Sequence, residues 1–308
     1  MNGLVVKSTG SSYWVLPDEK SDFVECKIKG TFRTRAIRST NPVVVGDRVA
    51  VEERAGAPGL ITEIHDRQNM IVRRASNLSK QSHILAANVD MAALVVTVNH
   101  PKTYTVFIDR FLASAESYRI PAILIFNKTD LYSDEEMEQM NQWIQLYRQL
   151  DYPCYAVSAE KREGIEDLNM ILSQKITLFT GNSGVGKSTL INALTSTSDL
   201  RTGVLSKYHN KGMHTTTFSE MISLPDGGFA IDTPGIKGFG LIEMTQEEAG
   251  HYFREIFALS PQCRFYNCTH LHEPGCAVLE AVEKETITLS RYQSYLSIID
   301  ETTQGKYR

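Results

Sequence analysis

Nine consecutive residues, Gly181-Asn182-Ser183-Gly184-Val185-Gly186-Lys187-Ser188-Thr189, have the types and spacing of a phosphate-binding loop. Glycines at these positions let the backbone curl, so that successive N–H groups converge on phosphate oxygens. Lys187 is placed to reach the β- and γ-phosphates, and the Ser188 hydroxyl to ligate Mg²⁺. The apolar run 176–180 precedes the loop and 190–194 follows it. Strand, loop and helix therefore come in the required order, with the positive end of the helix dipole aimed at the anion. A glycine-rich turn ahead of a helix is the plain structural reading. The preceding strand and the specified positions favour binding of a nucleoside triphosphate.

The base must be read elsewhere. Asn127-Lys128-Thr129-Asp130 follows the apolar run 122–126. A carboxylate such as Asp130 accepts from both the ring N–H and the exocyclic amine of guanine, a donor pair that adenine lacks. This speaks against an ATP-dependent kinase. Asn127 is expected to hold the loop and the far edge of the base, and the stem of Lys128 to cover its face. Ser158-Ala159, after the run 153–157, is placed to offer a backbone N–H to the guanine oxygen. Asp232-Thr-Pro-Gly235 follows 228–231; Asp232 is expected to hold a water on Mg²⁺ and the Gly235 N–H to sense the γ-phosphate. A lone Asn-Lys-x-Asp is common in surface turns. Four motifs at the carboxyl ends of four expected strands are specific, because open α/β sheets bind ligands along that edge.

Between 200 and 218 a polar segment ends in Lys211-Gly-Met-His214-Thr215-Thr216-Thr217. Its position is that of switch I, and Thr216 is favoured among the threonines as the second side-chain ligand of Mg²⁺. Ile236 stands where many G proteins carry a glutamine. An aliphatic side chain cannot orient water, so either another group does so or turnover is slow until a partner helps. His214 is the nearest such group, with a histidine of no chemical role as the competing reading. The order of motifs is also unusual: the guanine-reading loops precede the phosphate loop, and Asp232 comes last. The chain reads as a circularly permuted G domain whose old termini are joined through 164–168 and the helix begun there.

At 308 residues, 42% hydrophobic and 22% charged, the chain has material for two or three domains. Its start lacks the pattern of a signal peptide and no apolar run reaches membrane-spanning length, so a cytoplasmic protein without membrane contact is expected. The net charge of −4 conceals basic stretches at Lys27, Lys29, Arg33, Arg35 and Arg38, at 67–80, and from 201 to 214. Residues 1–70 read as short β-branched runs separated by turns, the size of a five-stranded OB-fold, with 27–38 as a nucleic-acid contact and Phe32 a core residue or a stacker. Residues 71–88 read as a polar connector. Alternation of strands and helices over 89–250 implies a doubly wound sheet. Cys263-x₄-Cys268-x-His270-x₅-Cys276 offers three thiolates and an imidazole, a closed set for one structural Zn²⁺ without an open position. His272 is a spare. Helices are expected at 247–258 and 277–299.

With a β module in front and a cysteine cluster behind Asp232, this arrangement resembles the RsgA (YjeQ) family of circularly permuted GTPases over nearly the whole chain. The resemblance implies a multidomain α/β protein: an OB-fold barrel at 1–70, a connector at 71–88, a permuted GTPase domain at 89–250 and a helical zinc-binding domain at 251–308. It implies GTP, GDP and Mg²⁺ as ligands, and a monomer that binds the 30S ribosomal subunit and its 16S rRNA near the decoding region in the GTP state. Hydrolysis would be stimulated by the subunit and followed by release. A GTP-regulated RNA-binding scaffold, in which hydrolysis is incidental, is the second reading. The permutation also places the segment after Gly235 directly upstream of the zinc-carrying helices. A zinc domain that reorients with nucleotide state, hinged at Gly238 and Gly240, is expected from this order.

Overall fold

A computed structural model describes residues 1–29, 42–73, 83–195, 219–232 and 245–304. Five strands come first: β1 (Asn2–Ser8), β2 (Tyr13–Pro17), β3 (Val24–Ile28), β4 (Arg48–Arg54) and β5 (Ala57–Ile64). They pair in the order β1-β2-β3-β5-β4 and close through β1 and β4, with β3 and β5 parallel. That closure is the OB-fold barrel. Its interior is built by alternation, with Val5, Tyr13, Val15, Val49, Val51 and Ile61 in one buried cluster.

The stretch expected to be a polar connector carries two strands, β6 (Met70–Arg73) and β7 (His83–Ala87), paired antiparallel. The polar residues around them diluted two short apolar runs that the tertiary core uses: Ile71 and Ala86 are buried together with the central sheet. A Cβ on Gly46, which lies at φ +90°, would fall 1.8 Å from the Ala87 carbonyl oxygen. The backbone of the barrel thus seats directly on β7.

The central sheet contains β8 (Met91–Val96), β9 (Ala122–Phe126), β10 (Cys154–Ala156), β11 (Ile176–Thr180), β12 (Ser219–Ser223) and β13 (Phe229–Asp232). All are parallel except β12, in the order β10-β9-β8-β11-β13-β12. Helices cover both faces, which is why the strands are apolar throughout. Ala92, Leu94 and Val96 meet residues of α1 (Thr105–Ser117) and α2 (Asp134–Gln149). Ala93 and Val95 meet those of α3 (Ile165–Leu172) and α4 (Lys187–Thr195). A capping box starts α2: Ser133 Oγ accepts from the Glu136 N–H, and the Glu136 carboxylate accepts from the Ser133 N–H.

β12 also pairs with β1, and Lys7 meets Glu220 across that ladder at 3.1 Å. Barrel and central sheet are therefore one continuous eleven-stranded sheet. The barrel is attached to the strand that follows the 201–218 segment, and not through its covalent link alone.

The C-terminal region holds α5 (Gln246–Ala249), α6 (Arg254–Leu259), α7 (Ala277–Glu283) and α8 (Leu289–Gln304). Both helices expected here are broken. The first is interrupted at 250–253 by a tighter turn. The second stops where Glu285 takes φ +57° and the Thr286 N–H donates to the Ala281 carbonyl at 2.8 Å. The break lets Ile287 reach the C-terminal core, which a straight helix would not.

This region is clamped to α1. Arg291, almost fully buried, donates to Asp109 at 2.6 Å and to both oxygens of Glu255 at 2.7 and 3.1 Å. Arg254 donates to Glu116 at 2.7 Å and stacks 4.0 Å from the Tyr152 ring centre. The hinge glycines 238 and 240 lie outside the described residues. Any reorientation of the C-terminal helices must take α1 with it or break these pairs.

Candidate functional site

Four loops meet at the carboxyl edge of the sheet. After β11 the chain turns through Gly181, Gly184 and Gly186 at φ +146°, +85° and +90°. A Cβ at Gly181 would stand 2.2 Å from the Val95 carbonyl oxygen, and one at Gly186 2.5 Å from Asn127 Nδ2. Glycine is required at both by backbone angle and by space. The loop ends at the first turn of α4, whose N-terminal N–H groups lack partners within the helix and suit an anion.

Lys187, half-buried, donates to the carbonyls of Gly181 at 2.8 Å and Asn182 at 3.3 Å. Burial lowers its pKa, and the charge of Asp232 partly offsets this; burial likewise raises Asp232, offset by Lys187. Each charge thus sits in a site where water is scarce and a charged ligand is favoured. Ser188 and Thr189 are exposed beside them.

Asn127 ties three loops together. It is buried, with Nδ2 donating to the Val185 carbonyl at 2.9 Å and Oδ1 accepting the Ala159 N–H at 3.1 Å. The sequence expected Asn127 to hold the loop as well as the far edge of the base, and these contacts make it a fastener between the phosphate loop and the loop after β10. The Ala159 N–H, expected to face the guanine oxygen, is here engaged by Asn127. Lys128 stands at φ +64°, and its ammonium donates to the carbonyls of Gly184 at 2.7 Å and His100 at 2.9 Å. Asp130 is exposed and accepts a hydrogen bond from Ser158 Oγ, which in turn accepts the Lys161 N–H at 3.0 Å.

Tyr132 escaped the sequence reading. Its hydroxyl accepts the Val98 N–H at 3.0 Å and donates to the Asn127 carbonyl at 2.8 Å, while burial pushes its pKa to about 12. It braces the loop after β8 against the base-reading loop. Its place two residues beyond Asp130 is the only sequence signal for this role. Thr216, His214, Gly235 and Ile236 lie outside the described residues.

A second cluster lies in the C-terminal region. The ligand atoms of Cys263, Cys268, His270 and Cys276 all fall within 4.8 Å of one another. Cys263 and Cys276 sulfurs are 4.0 Å apart, and His270 Nδ1 is 3.6 and 3.4 Å from them. A tetrahedron with metal–sulfur bonds of about 2.3 Å has sulfurs about 3.8 Å apart, so the cluster fits Zn²⁺. The far ring nitrogen, Nε2, lies 3.2 Å from Ser260 Oγ, whose proton goes to the Ile256 carbonyl at 2.8 Å. Ser260 can then only accept from Nε2–H, which leaves the Nδ1 lone pair facing the thiols. Glu273 shapes the loop. Burial opposes its charge, but hydrogen bonds from Thr269 and from the N–H groups of Leu271 and His272 hold its pKa at about 2.

Metal analysis of the purified protein is expected to find about one zinc per chain, with Cys276→Ser reducing it to background. Chelation should melt the C-terminal helices and spare nucleotide binding, since structural zinc contributes folding free energy to the region it ties. Zinc-free protein with an unaltered C-terminal melting transition would contradict this.

Comparison with known proteins agrees with this architecture. The family model described as RsgA GTPase matches residues 64–242, and that of the RsgA N-terminal domain matches 2–61. The chain is 58% identical to small ribosomal subunit biogenesis GTPase RsgA 2 of Bacteroides thetaiotaomicron, over 100% of this chain and 99% of that protein. It is 56% identical to the RsgA of Porphyromonas gingivalis, with the same coverage. Among solved structures, YjeQ from Thermotoga maritima superposes with a TM-score of 0.80 at 34% identity, covering 98% of each chain. YloQ, described as a circularly permuted GTPase, gives 0.78 at 30% identity, over 100% of this chain and 96% of that one.

Proposed function

The chain belongs to the RsgA GTPase family and is a GTP hydrolase, and on that premise we propose that it acts in late maturation of the 30S ribosomal subunit. In this reading it binds the subunit and its 16S rRNA as a GTP-bound monomer in the cytoplasm, is stimulated there, and leaves after hydrolysis. Among the described residues no helix is long and apolar enough to cross a membrane. The observation that carries the reading is Asn127, which fastens the phosphate loop to both base-reading loops in a permuted sheet bearing a barrel and a Cys₃His cluster.

We assign the loop 181–189 to the phosphates, with Lys187 neutralising charge as the γ-phosphoryl departs. Mg²⁺, when bound with the nucleotide, would supply neutralisation of phosphate charge. Ser188 and Thr216 are assigned as its side-chain ligands, Asp232 as the holder of a bound water, and Gly235 as the γ-phosphate sensor. His214 is assigned to the attacking water, in place of a glutamine. Asp130 reads guanine, with Lys128 over the face of the base and Thr129, Ser158 and Ala159 shaping the pocket. The barrel at 1–70 and the zinc-binding region at 251–308 are assigned to the subunit, the permuted domain at 89–250 to the nucleotide.

The test is GTP turnover with and without purified 30S subunits, where a large stimulation is expected. Turnover indifferent to the subunit would favour the scaffold reading. At the base, Asp130→Asn removes two hydrogen bonds to a charged acceptor, roughly 1.5–3 kcal/mol each, so GDP affinity should fall by about 10²–10⁴-fold. Xanthosine diphosphate, which presents a carbonyl where guanine has its amine, should gain what GDP loses. Competition between the two nucleotides measures this, and an unchanged preference for GDP would remove Asp130 from base recognition.

A further inference from the structure

The loop between Cys263 and Cys268 displays Arg264, Phe265 and Tyr266. Tyr266 is fully exposed, Phe265 is 40% exposed, and the Arg264 guanidinium stands 5.5 Å from the centre of the Phe265 ring. The fold has no use for these rings: Cys263, Cys268 and Leu271 pack on the C-terminal core, and residues 264–266 do not. Yet the loop is held firmly. Its ends are two of the four clustered ligands, the Arg264 N–H donates to the Gly275 carbonyl at 3.1 Å, and the Cys268 N–H donates to the Phe265 carbonyl at 3.2 Å. An aromatic pair on a rigid mount loses little entropy on binding.

The charge around it narrows the partner. From 256 to 272 the chain has no carboxylate. The next one, Glu273, turns inward, where it accepts from Thr269, Leu271 and His272. Exposed aromatic rings beside an arginine, on a stretch of chain from 256 to 272 that carries no acid, match the chemistry of an unpaired nucleotide: a base to stack and a phosphate to pair.

We propose that the Phe265–Tyr266 tip is a stacking platform for an unpaired RNA base, with Arg264 on the adjoining phosphate. The inference rests on the reading that this chain acts on an RNA-containing particle, and it names the element of that particle which the zinc region takes. It carries three consequences. Duplex RNA, whose base faces are covered, is a poor ligand for this tip. Loss of the Tyr266 ring weakens single-strand binding by about 5- to 150-fold without changing its salt dependence, because a neutral ring releases no counterion. Loss of Arg264 lowers the slope of log affinity against log salt by about 0.7.

The experiment titrates the full zinc-loaded chain against a labelled, unstructured oligoribonucleotide of about 12 nucleotides, its duplex, and purified 30S subunits. Wild type, Tyr266→Ala, Tyr266→Trp and Arg264→Ala are compared, with zinc content verifying the fold of each. The expected result is loss of single-strand affinity in Tyr266→Ala at unchanged salt slope, recovery in Tyr266→Trp, and a shallower slope in Arg264→Ala. Equal single-strand affinity of wild type and Tyr266→Ala overturns the proposal. So does a loss seen on 30S subunits alone, which would assign the tip to a protein surface. If wild type ignores 30S subunits while single-strand binding still depends on Tyr266, the platform stands and the small-subunit reading falls.

Discussion

Lys187→Ala is expected to lower GTP turnover by about 10³-fold or more while leaving the fold intact, because removing preorganised positive charge from a transferring phosphoryl group typically costs that much. Among the described residues Lys187 is the lysine held over the phosphate loop, by the carbonyls of Gly181 and Asn182. The nearby Lys128 is committed to the carbonyls of Gly184 and His100 on the base side. Burial already lowers the pKa of Lys187, so its ammonium is poorly hydrated before any phosphate arrives. A phosphate oxygen then replaces weak carbonyl contacts with a charge-assisted pair, and the cost of desolvation is met in the fold and not in the reaction. The side chain does not belong to the packed core of either sheet face. Truncation should therefore leave the melting temperature near that of wild type. Single-turnover hydrolysis with saturating GTP and 30S subunits, alongside thermal unfolding, checks both halves. A variant within about tenfold of wild-type turnover would take Lys187 out of the mechanism.

The second large effect is on stability. Arg291→Leu should destabilise the protein by about 3–5 kcal/mol, the usual consequence of removing one partner from a buried ionic cluster. Asp109 is fully buried; burial drives its pKa up, while Arg291 and the Tyr147 hydroxyl at 2.8 Å favour its charged form. Arg291 is itself packed over the Phe253 ring at 4.6 Å, so the substitution also uncovers an aromatic face. Without the guanidinium, buried Asp109 and partly buried Glu255 both lose their cation. Asp109→Asn in the same chain should recover part of the loss, because it removes one uncompensated charge, and a double-mutant cycle measures the coupling. Denaturant unfolding followed by far-ultraviolet circular dichroism reads the effect, and the C-terminal helices should detach before the sheet melts. A loss below about 1 kcal/mol would mean that the Arg291 cluster does not hold the region in place. The same clamp sets a condition on the proposed reorientation: rotation of the C-terminal region relative to α1 must first break Arg291 from Asp109.

The chemistry of this protein was legible in the sequence because it is local. A phosphate loop, a guanine-reading loop and a closed zinc set each need particular residue types within about five to fifteen positions, and backbone geometry over such spans follows from glycine, proline and hydrogen-bonding side chains. Gly181 and Gly186, which backbone angle and space require, and Cys263 of the Cys₃His cluster declared themselves in this way, while the role of Asp130 at guanine is the one proposed above. The strands did too, since burial on both faces leaves an unbroken apolar run such as 91–96. What the tertiary structure alone decided depends on residues far apart in the chain. Asp109 and Arg291 are 182 positions apart and each, read locally, is an ordinary surface charge on a helix. Asn127 was expected to hold its own loop, but its partners Val185 and Ala159, 58 and 32 positions away, could not be named from spacing. β1 meets β12 across more than two hundred residues, and no periodicity in either strand names its partner. Ile71 and Ala86 looked like parts of a linker until a neighbouring core enclosed them. Local chemistry is written in residue type and spacing. Which charge becomes buried and which strand edge finds a partner is settled only when the whole chain competes for the same apolar surface, and the pairs that remain are those whose hydrogen bonds are completed there.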